Sequence, residues 1–600
     1  MKYAEVLVSW LMQEGYETCY FVAGGNIMHL LDGVRTRIRC VPVVHEVAAA
    51  IAVEYHNEVT SASQGTACRA FALVTAGPGL TNALTGMAGA FLESRELLLI
   101  GGQVKREDLA SSGLRQMGIQ EVDGVAIAAP VCKTSQRMMT PWPRHQLLES
   151  VRQGSRDRPG PVFLEIPLDV QAASVPDNWL NDKQTSEENP PQFANPSAPA
   201  VSEQILPSDL LDALAQARRP VLLIGGGVSR RFCHLKREQL TKLPFPVMTT
   251  WNGADRVSYD QPNYAGRPNT WGMRYSNLLI QQSDLLIALG TRLGLQQTGF
   301  NWQAFVPKGR VAQVDIDPAE LAKPSPRVVW SICADANLAL GCLLASTFGD
   351  YAEWLSFCIN ARKELPLSES CNVAREGYLN PYQFALDLSK LCGANDVVVP
   401  CSSGGAFTVM MQSFLQRHDQ ILITNKGLAS MGYGLSGALG AAIADPERRV
   451  VLVEGDGGFM QNLQELATVS ANNLNVKIFL FANNGYASIR MTQQNYFGGA
   501  YLGCDLESGL GFPDWGKLFE SYRIPMHTLV SDWTSDGAFA QAFNSLAPCA
   551  FYVPLDPCQT YFPKITSRLK DDGGMESNPL HRMTPDLSDE DMILWGKYLV

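Results

Sequence analysis

The chain has 600 residues, 46% of them hydrophobic and 18% charged, with a formal net charge of −11. That length provides three or four domains of ordinary size, and an excess of 59 acidic over 48 basic residues gives no reason to expect nucleic acid as a partner. No apolar run reaches the roughly 18 residues of a membrane-spanning helix, and fourteen cysteines without a Cys-x-x-Cys pair point to reduced thiols in a cytoplasmic enzyme.

From the start, Lys2, Glu5 and Ser9 interrupt an apolar pattern at helical spacing, so the first dozen residues read as a helix and not as a signal peptide. Short apolar runs at 19–22, 71–75, 97–100 and 162–166 follow, each separated by enough chain for a helix, the pattern of an α/β doubly wound parallel sheet over residues 1–175. Residues 176–205 lose that pattern, and Asn189-Pro190-Pro191, Asn195-Pro196 and Pro199 mark a linker. A second α/β unit spans 206–345, with strands at 219–224, 285–289 and 311–316. Residues 346–376 connect it to a third unit, 377–560, and 561–600 read as a mobile tail ending in a short helix. The first and third units share the alternating plan but no readable sequence repeat.

The third unit holds the most informative stretch. A strand at 450–453 breaks into Glu454-Gly455-Asp456-Gly457-Gly458; an amphipathic segment through Gln464, Glu465 and Leu466 leads to a strand at 476–481 that ends in Ala482-Asn483-Asn484-Gly485-Tyr486. A βαβ crossover of this length sets the two turns side by side at the carboxyl edge of a parallel sheet. A carboxylate, an amide oxygen and a backbone carbonyl there suit a hard cation that holds a phosphorylated ligand, and the glycines let the backbone approach its phosphates.

This stretch resembles the thiamine diphosphate signature of the acetolactate synthase-like family, whose aspartate, an asparagine 27 positions on and the carbonyl two residues beyond hold Mg2+. Counting from Asp456 gives Asn483 and Gly485, with Ala482 in the first place of the family's usual Asn-Asn pair. Further motifs occur in family order: Thr75-Ala76-Gly77-Pro78-Gly79-Leu80-Thr81-Asn82, Gly101-Gly102-Gln103, Arg158-Pro159-Gly160-Pro161, Val314-Asp315-Ile316-Asp317-Pro318 and Met431-Gly432-Tyr433-Gly434. The resemblance implies pyrimidine-binding, middle and diphosphate-binding domains across nearly the whole chain. It assigns Glu46, which follows Val41-Pro42-Val43-Val44-His45, as the carboxylate that activates the aminopyrimidine, although a carboxylate opening a helix is by itself more often a surface group that favours the helix dipole. Gln103 joins Glu46 as a catalytic candidate. Gly25, Asn82, Gly404, Gly405, Ser430, Met431, Gly457, Gly458 and Tyr486 complete the cofactor site, with Met431 as the bulky side chain that keeps the cofactor bent. It also implies a homodimer or homotetramer, each cofactor bridging the first domain of one chain and the third of another.

The implied chemistry is decarboxylation of a 2-oxo acid, pyruvate being the favoured donor, with transfer of the acyl carbanion to a carbonyl acceptor. No two of the eight histidines are adjacent, whereas simple pyruvate decarboxylases carry a His-His pair. Three positions depart from acetolactate synthases: Leu168 replaces a lysine, Ile119 a phenylalanine and Thr492 a tryptophan, which implies a wider, less anion-selective acceptor pocket, with Arg490 or Lys105 as substitute cations. Gly225-Gly226-Gly227 and Gly290-Thr291-Arg292-Leu293 match positions that cradle FAD in flavin-bearing relatives, so FAD stays an open alternative. A non-ligating decarboxylase, a flavin-linked oxidase and a non-catalytic cofactor-binding homologue are the competing readings.

Overall fold

A computed structural model describes residues 1–63, 68–111, 113–181, 205–401, 403–571 and 573–599; most of the expected Pro-rich linker and Ser402 lie outside these. Seventeen of its strands gather into three large sheets in which every pairing is parallel, and a two-stranded antiparallel ribbon, Ser567–Leu569 with Met575–Ser577, stands in the tail. The runs responsible, such as Val-Leu-Leu-Ile in Pro220–Ile224 and Val-Val-Leu-Val in Val450–Gly455, are apolar on both faces, as strands covered by helices on both sides must be.

The first sheet is built from β1 (Tyr16–Phe21), β2 (Arg39–Pro42), β3 (Arg69–Val74), β4 (Leu97–Gln103), β5 (Thr134–Arg137) and β6 (Pro161–Pro167), in the order β2-β1-β3-β4-β6-β5. The middle sheet holds β7 (Pro220–Ile224), β8 (Val247–Thr249), β9 (Leu285–Leu289), β10 (Arg310–Asp315) and β11 (Trp330–Cys333), in the order β11-β10-β9-β7-β8. In the third, β12 (Val397–Pro400), β13 (Ile421–Leu422), β14 (Val450–Gly455), β15 (Val476–Ala482), β16 (Met526–Thr528) and β17 (Cys549–Pro554) run β13-β12-β14-β15-β17-β16. Renumbered from its own first strand, the third sheet has the same order as the first. The two units are one topology written in two unrelated sequences.

Those two units share one apolar core. The helix Glu46–Ser63 of the first packs on the helix Tyr433–Ala444 of the third, and Ala50, Tyr55, Leu80, Tyr433, Leu439 and Val450 belong to a single buried cluster. The Tyr433–Ala444 helix is buried on all sides from Tyr433 to Ile443, which its Gly- and Ala-rich sequence permits because small residues let helices approach closely.

Two segments differ from expectation. The 346–376 connector contains the helix Ala352–Glu364, whose Trp354 and Cys358 enter the middle unit's core. The tail packs on the middle unit: Ile565, Leu580, Met583 and Trp595 join that same cluster, and Gln282 bonds the Trp595 carbonyl and the Tyr598 amide. Periodicity misses this because the buried residues are widely spaced along an irregular chain.

Candidate active site

In the third unit the chain reverses its winding direction between β12 and β14, the place where open parallel sheets bind ligands. The loop after β12 opens the helix Gly404–Ser413, and the loop after β14 opens the short turn Asp456–Phe459. Asp456 is 1% exposed; its Oδ1 accepts from the Gly457 amide at 2.8 Å and its Oδ2 from the amides of Asn483 and Asn484 at 3.1 and 2.7 Å. The carboxylate therefore stitches the two turns together, as the crossover predicted. Burial pushes this carboxyl up to about 7 in spite of those donors, and a divalent cation would hold it ionised.

The two asparagines sit in different surroundings. Asn483 is 6% exposed and its Oδ1 has no hydrogen-bond partner, whereas Asn484 is exposed with φ +57°. A buried acceptor left unpaired costs about 1–3 kcal/mol, so Asn483 offers an oxygen that a cation can take. Gly457 lies under the Tyr486 ring so closely that a Cβ there would collide with it. Met431, 36% exposed, precedes Gly432, whose carbonyl accepts from Asn462 Nδ2 at 2.7 Å, and the Ser430 hydroxyl donates to the Met431 carbonyl at 3.0 Å. Asp456, Asn483, Gly485, Tyr486, Met431 and the Gly404-Gly405 turn thus occupy one end of the third sheet.

Arg490 organises this end in a way that the sequence does not announce. Its guanidinium donates to the carbonyls of Asn484 at 2.9 Å, Asn483 at 2.7 Å and Pro557 at 3.1 Å. With three backbone oxygens to hold through its two terminal nitrogens, it fixes the Asn483-Asn484-Gly485 turn, and its buried Nε has no partner among the described residues. Lys105 remains on the surface beside Glu107.

The first unit holds the other half. Glu46 opens its helix as expected, is 8% exposed, and its Oε2 accepts from Asn82 Nδ2 at 3.0 Å. Gly25 begins a helical turn directly after β1. Gln103 is fully buried with both amide protons committed, to the Val122 carbonyl at 2.9 Å and to Glu165 at 3.1 Å. It supports the loop that carries Ile119 and has no donor left for a substrate. That loop is held by Glu121, which accepts from the amides of Ala110, Met117 and Gly118, and it leaves Ile119 84% exposed. Leu168 starts the turn after β6, and Thr492 is exposed on the helix Ala487–Phe497.

Within the chain the helices Glu46–Ser63 and Tyr433–Ala444 pack closely: the Tyr433 hydroxyl donates to Glu54 at 2.7 Å, Gly440 abuts Ala52, and Arg39 reaches the Ile443 carbonyl at 3.1 Å. What meets the Glu46 end within the chain is Glu465, fully buried, accepting from the Val44 amide at 3.1 Å and the His45 amide at 3.0 Å.

A separate cleft of about 1640 Å³ opens between the first and middle units, bordered by Gly226, Gly227, Arg292 and Asp315. Trp251 and Asn252, whose buried Nε1 and Oδ1 have no partners among the described residues, also line it, as does Lys426, 4.9 Å from the Trp251 ring.

Three family models match the chain. Residues 1–127 match the N-terminal TPP binding domain of thiamine pyrophosphate enzymes, 208–343 their central domain and 403–553 their C-terminal TPP binding domain. Among curated proteins, the chain is 28% identical to the acetolactate synthase isozyme 1 large subunit of Escherichia coli over 94% of this chain and 95% of that one. It is 29% identical to the isozyme 2 large subunit of the same organism, over 94% and 97%. A probable acetolactate synthase large subunit of Methanocaldococcus jannaschii is 27% identical over 93% of each.

Proposed function

The chain belongs to the thiamine pyrophosphate enzyme family, and from that premise we propose that it decarboxylates a 2-oxo acid, pyruvate being the favoured donor, and joins the acyl unit to a carbonyl acceptor. The observation that carries this reading is the cradle of Asp456, Asn483 and the Gly485 carbonyl, with an unpaired amide oxygen where a Mg2+ ligand is needed. Asp456, Asn483 and Gly485 would hold the ion, the first turn of the Gly404–Ser413 helix the phosphates, and Met431 the body of the cofactor. Bound there, thiamine diphosphate supplies the electron sink for the departing carboxyl group. Glu46, oriented by Asn82, holds and returns a proton at the pyrimidine edge.

As the family resemblance implies, each complete site is taken to join the first unit of one copy to the third of another, so the working assembly is a homodimer or a pair of dimers. The acceptor side carries Ile119, Leu168 and Thr492, and Arg490 is committed to backbone carbonyls, so the carboxylate of a second 2-oxo acid meets little compensating charge, which a neutral ketone does not need. Release of carbon dioxide from a panel of 2-oxo acids, with and without acceptor ketones, tests both parts. Pyruvate is expected to be consumed faster when a neutral ketone is present. Acetolactate formed from pyruvate alone at about ten turnovers per second or more would refute the acceptor assignment, and no release from any 2-oxo acid would refute the activity.

The cleft of about 1640 Å³ favours FAD as a second cofactor, with Asp315 at the carboxyl end of β10 for a ribose and the unpaired Trp251 and Asn252 atoms for a polar ring edge. A yellow eluate whose flavin spectrum survives dialysis, and is released by denaturation, is the expected result; a colourless protein that takes up no FAD in titration would refute it.

A further inference from the structure

Beyond β17 the chain does not leave the third unit but crosses the carboxyl edge of its sheet as a strap, 555–563, outside the residues matched by the family's C-terminal model. The Leu555 amide donates to the Ala482 carbonyl at 3.0 Å, and Arg490 holds the Pro557 carbonyl. Asn372 grips Phe562 twice, donating to its carbonyl at 2.7 Å and accepting from its amide at 3.1 Å, and Gln412 donates to the Pro563 carbonyl at 2.7 Å. So many anchors along nine residues fix one side chain in the middle, Tyr561.

Tyr561 is 2% exposed, and its hydroxyl makes no well-aligned hydrogen bond among the described residues, although the Asn483 side chain lies close enough to favour its ionised form. Its ring and hydroxyl lie against Gly405, where a Cβ would come within 2.7 Å of Cζ and 2.8 Å of the oxygen, so glycine is needed for the phenol to reach the helix's first turn. Burial pushes the phenol up to about 12, with the Asn483 amide and the Asp456 and Arg490 charges as its polar surroundings. A buried hydroxyl normally finds a partner. Here the Tyr561 hydroxyl and Asn483 Oδ1, neither of them well satisfied among the described residues, are held in the same pocket beside the N-terminus of a ten-residue helix.

We propose that Tyr561 binds the diphosphate end of the cofactor, its O–H donating to a terminal phosphate oxygen above Gly405. This rests on the thiamine diphosphate reading and adds a ligand from the strap to those from the sheet edge. The alternative is a tyrosine retained only for packing, since its ring belongs to the apolar cluster around Phe407 and Leu555.

Titration calorimetry of apo wild type and Tyr561→Phe with thiamine diphosphate, and separately with inorganic diphosphate, both at saturating Mg2+, distinguishes the two. A hydrogen bond to a charged oxygen is worth about 10- to 100-fold in affinity, so both ligands should bind Tyr561→Phe at least about tenfold more weakly. The apo melting temperature should change little, because the ring and its packing are kept and the hydroxyl makes no well-aligned hydrogen bond among the described residues. Wild-type binding of thiamine diphosphate with Tyr561→Phe within twofold of it overturns this inference alone. A wild type that does not bind thiamine diphosphate at all overturns the function proposed above and this inference with it.

Discussion

Replacing Asn483 and Asn484 one at a time by alanine should separate cofactor affinity from stability of the empty protein. Asn483 Oδ1 is buried and unpaired, so Asn483→Ala removes a penalty of about 1–3 kcal/mol. Truncation loses packing of similar size, and the stability of the empty protein should stay within about 1 kcal/mol of wild type. Loss of a metal ligand, by contrast, should weaken Mg2+-dependent binding of thiamine diphosphate about 100-fold, near 2.7 kcal/mol. Asn484 reverses the pattern: it is exposed, and its φ of +57° is a conformation that an alanine adopts at a cost of about 1–2 kcal/mol. Asn484→Ala should therefore melt a few degrees lower and bind the cofactor normally, while Asn484→Gly restores the melting temperature. Calorimetry at saturating Mg2+ and thermal melts of the empty protein measure both quantities. Weaker binding by Asn484→Ala than by Asn483→Ala would refute the register and with it the Asp456, Asn483 and Gly485 set.

Glu46→Gln keeps the hydrogen bond to Asn82 in shape but removes the proton carrier; exchange of the cofactor's C2 hydrogen, followed by NMR, should slow at least about 100-fold while binding and melting change little. His56 offers a pH test of stability away from the site. Its Nδ1 lies 3.0 Å from the Tyr20 hydroxyl and its Nε2 3.0 Å from the Cys68 carbonyl, and burial pushes it down to about 4. The unfolded chain then takes up a proton near 6.5 that the folded chain refuses until about 4, so stability falls as pH drops through that window, by about 1.4 kcal/mol per unit and about 3 kcal/mol in all. Urea melts of wild type and His56→Gln between pH 4 and 7 should show the wild type's advantage shrinking as pH falls; a pH-independent difference would refute the buried neutral imidazole.

The sequence by itself determined what short-range geometry controls. Strand, turn, helix and strand within 450–486 leave one way to connect, so the pairing of the Asp456 and Asn483 turns followed from spacing alone, and the structure places Asp456 Oδ2 on the Asn483 amide. Apolar runs bounded by glycine and proline likewise located the strands of three α/β units, and Glu46 opens its helix where the sequence put it. Tertiary structure decided everything that depends on residues far apart in the chain. The shared strand order of the first and third sheets leaves no trace in the residues, because many apolar sequences satisfy one topology. Arg490, a candidate cation by sequence, holds three carbonyls through its terminal nitrogens, the last of them at Pro557. Gln103 is taken up by Val122 and Glu165, Glu465 caps the approach to Glu46 from across the chain, and Tyr561 returns to Gly405. Each of these partnerships is set by how two packed surfaces meet, and neither periodicity nor local propensity carries information about a neighbour that only folding supplies.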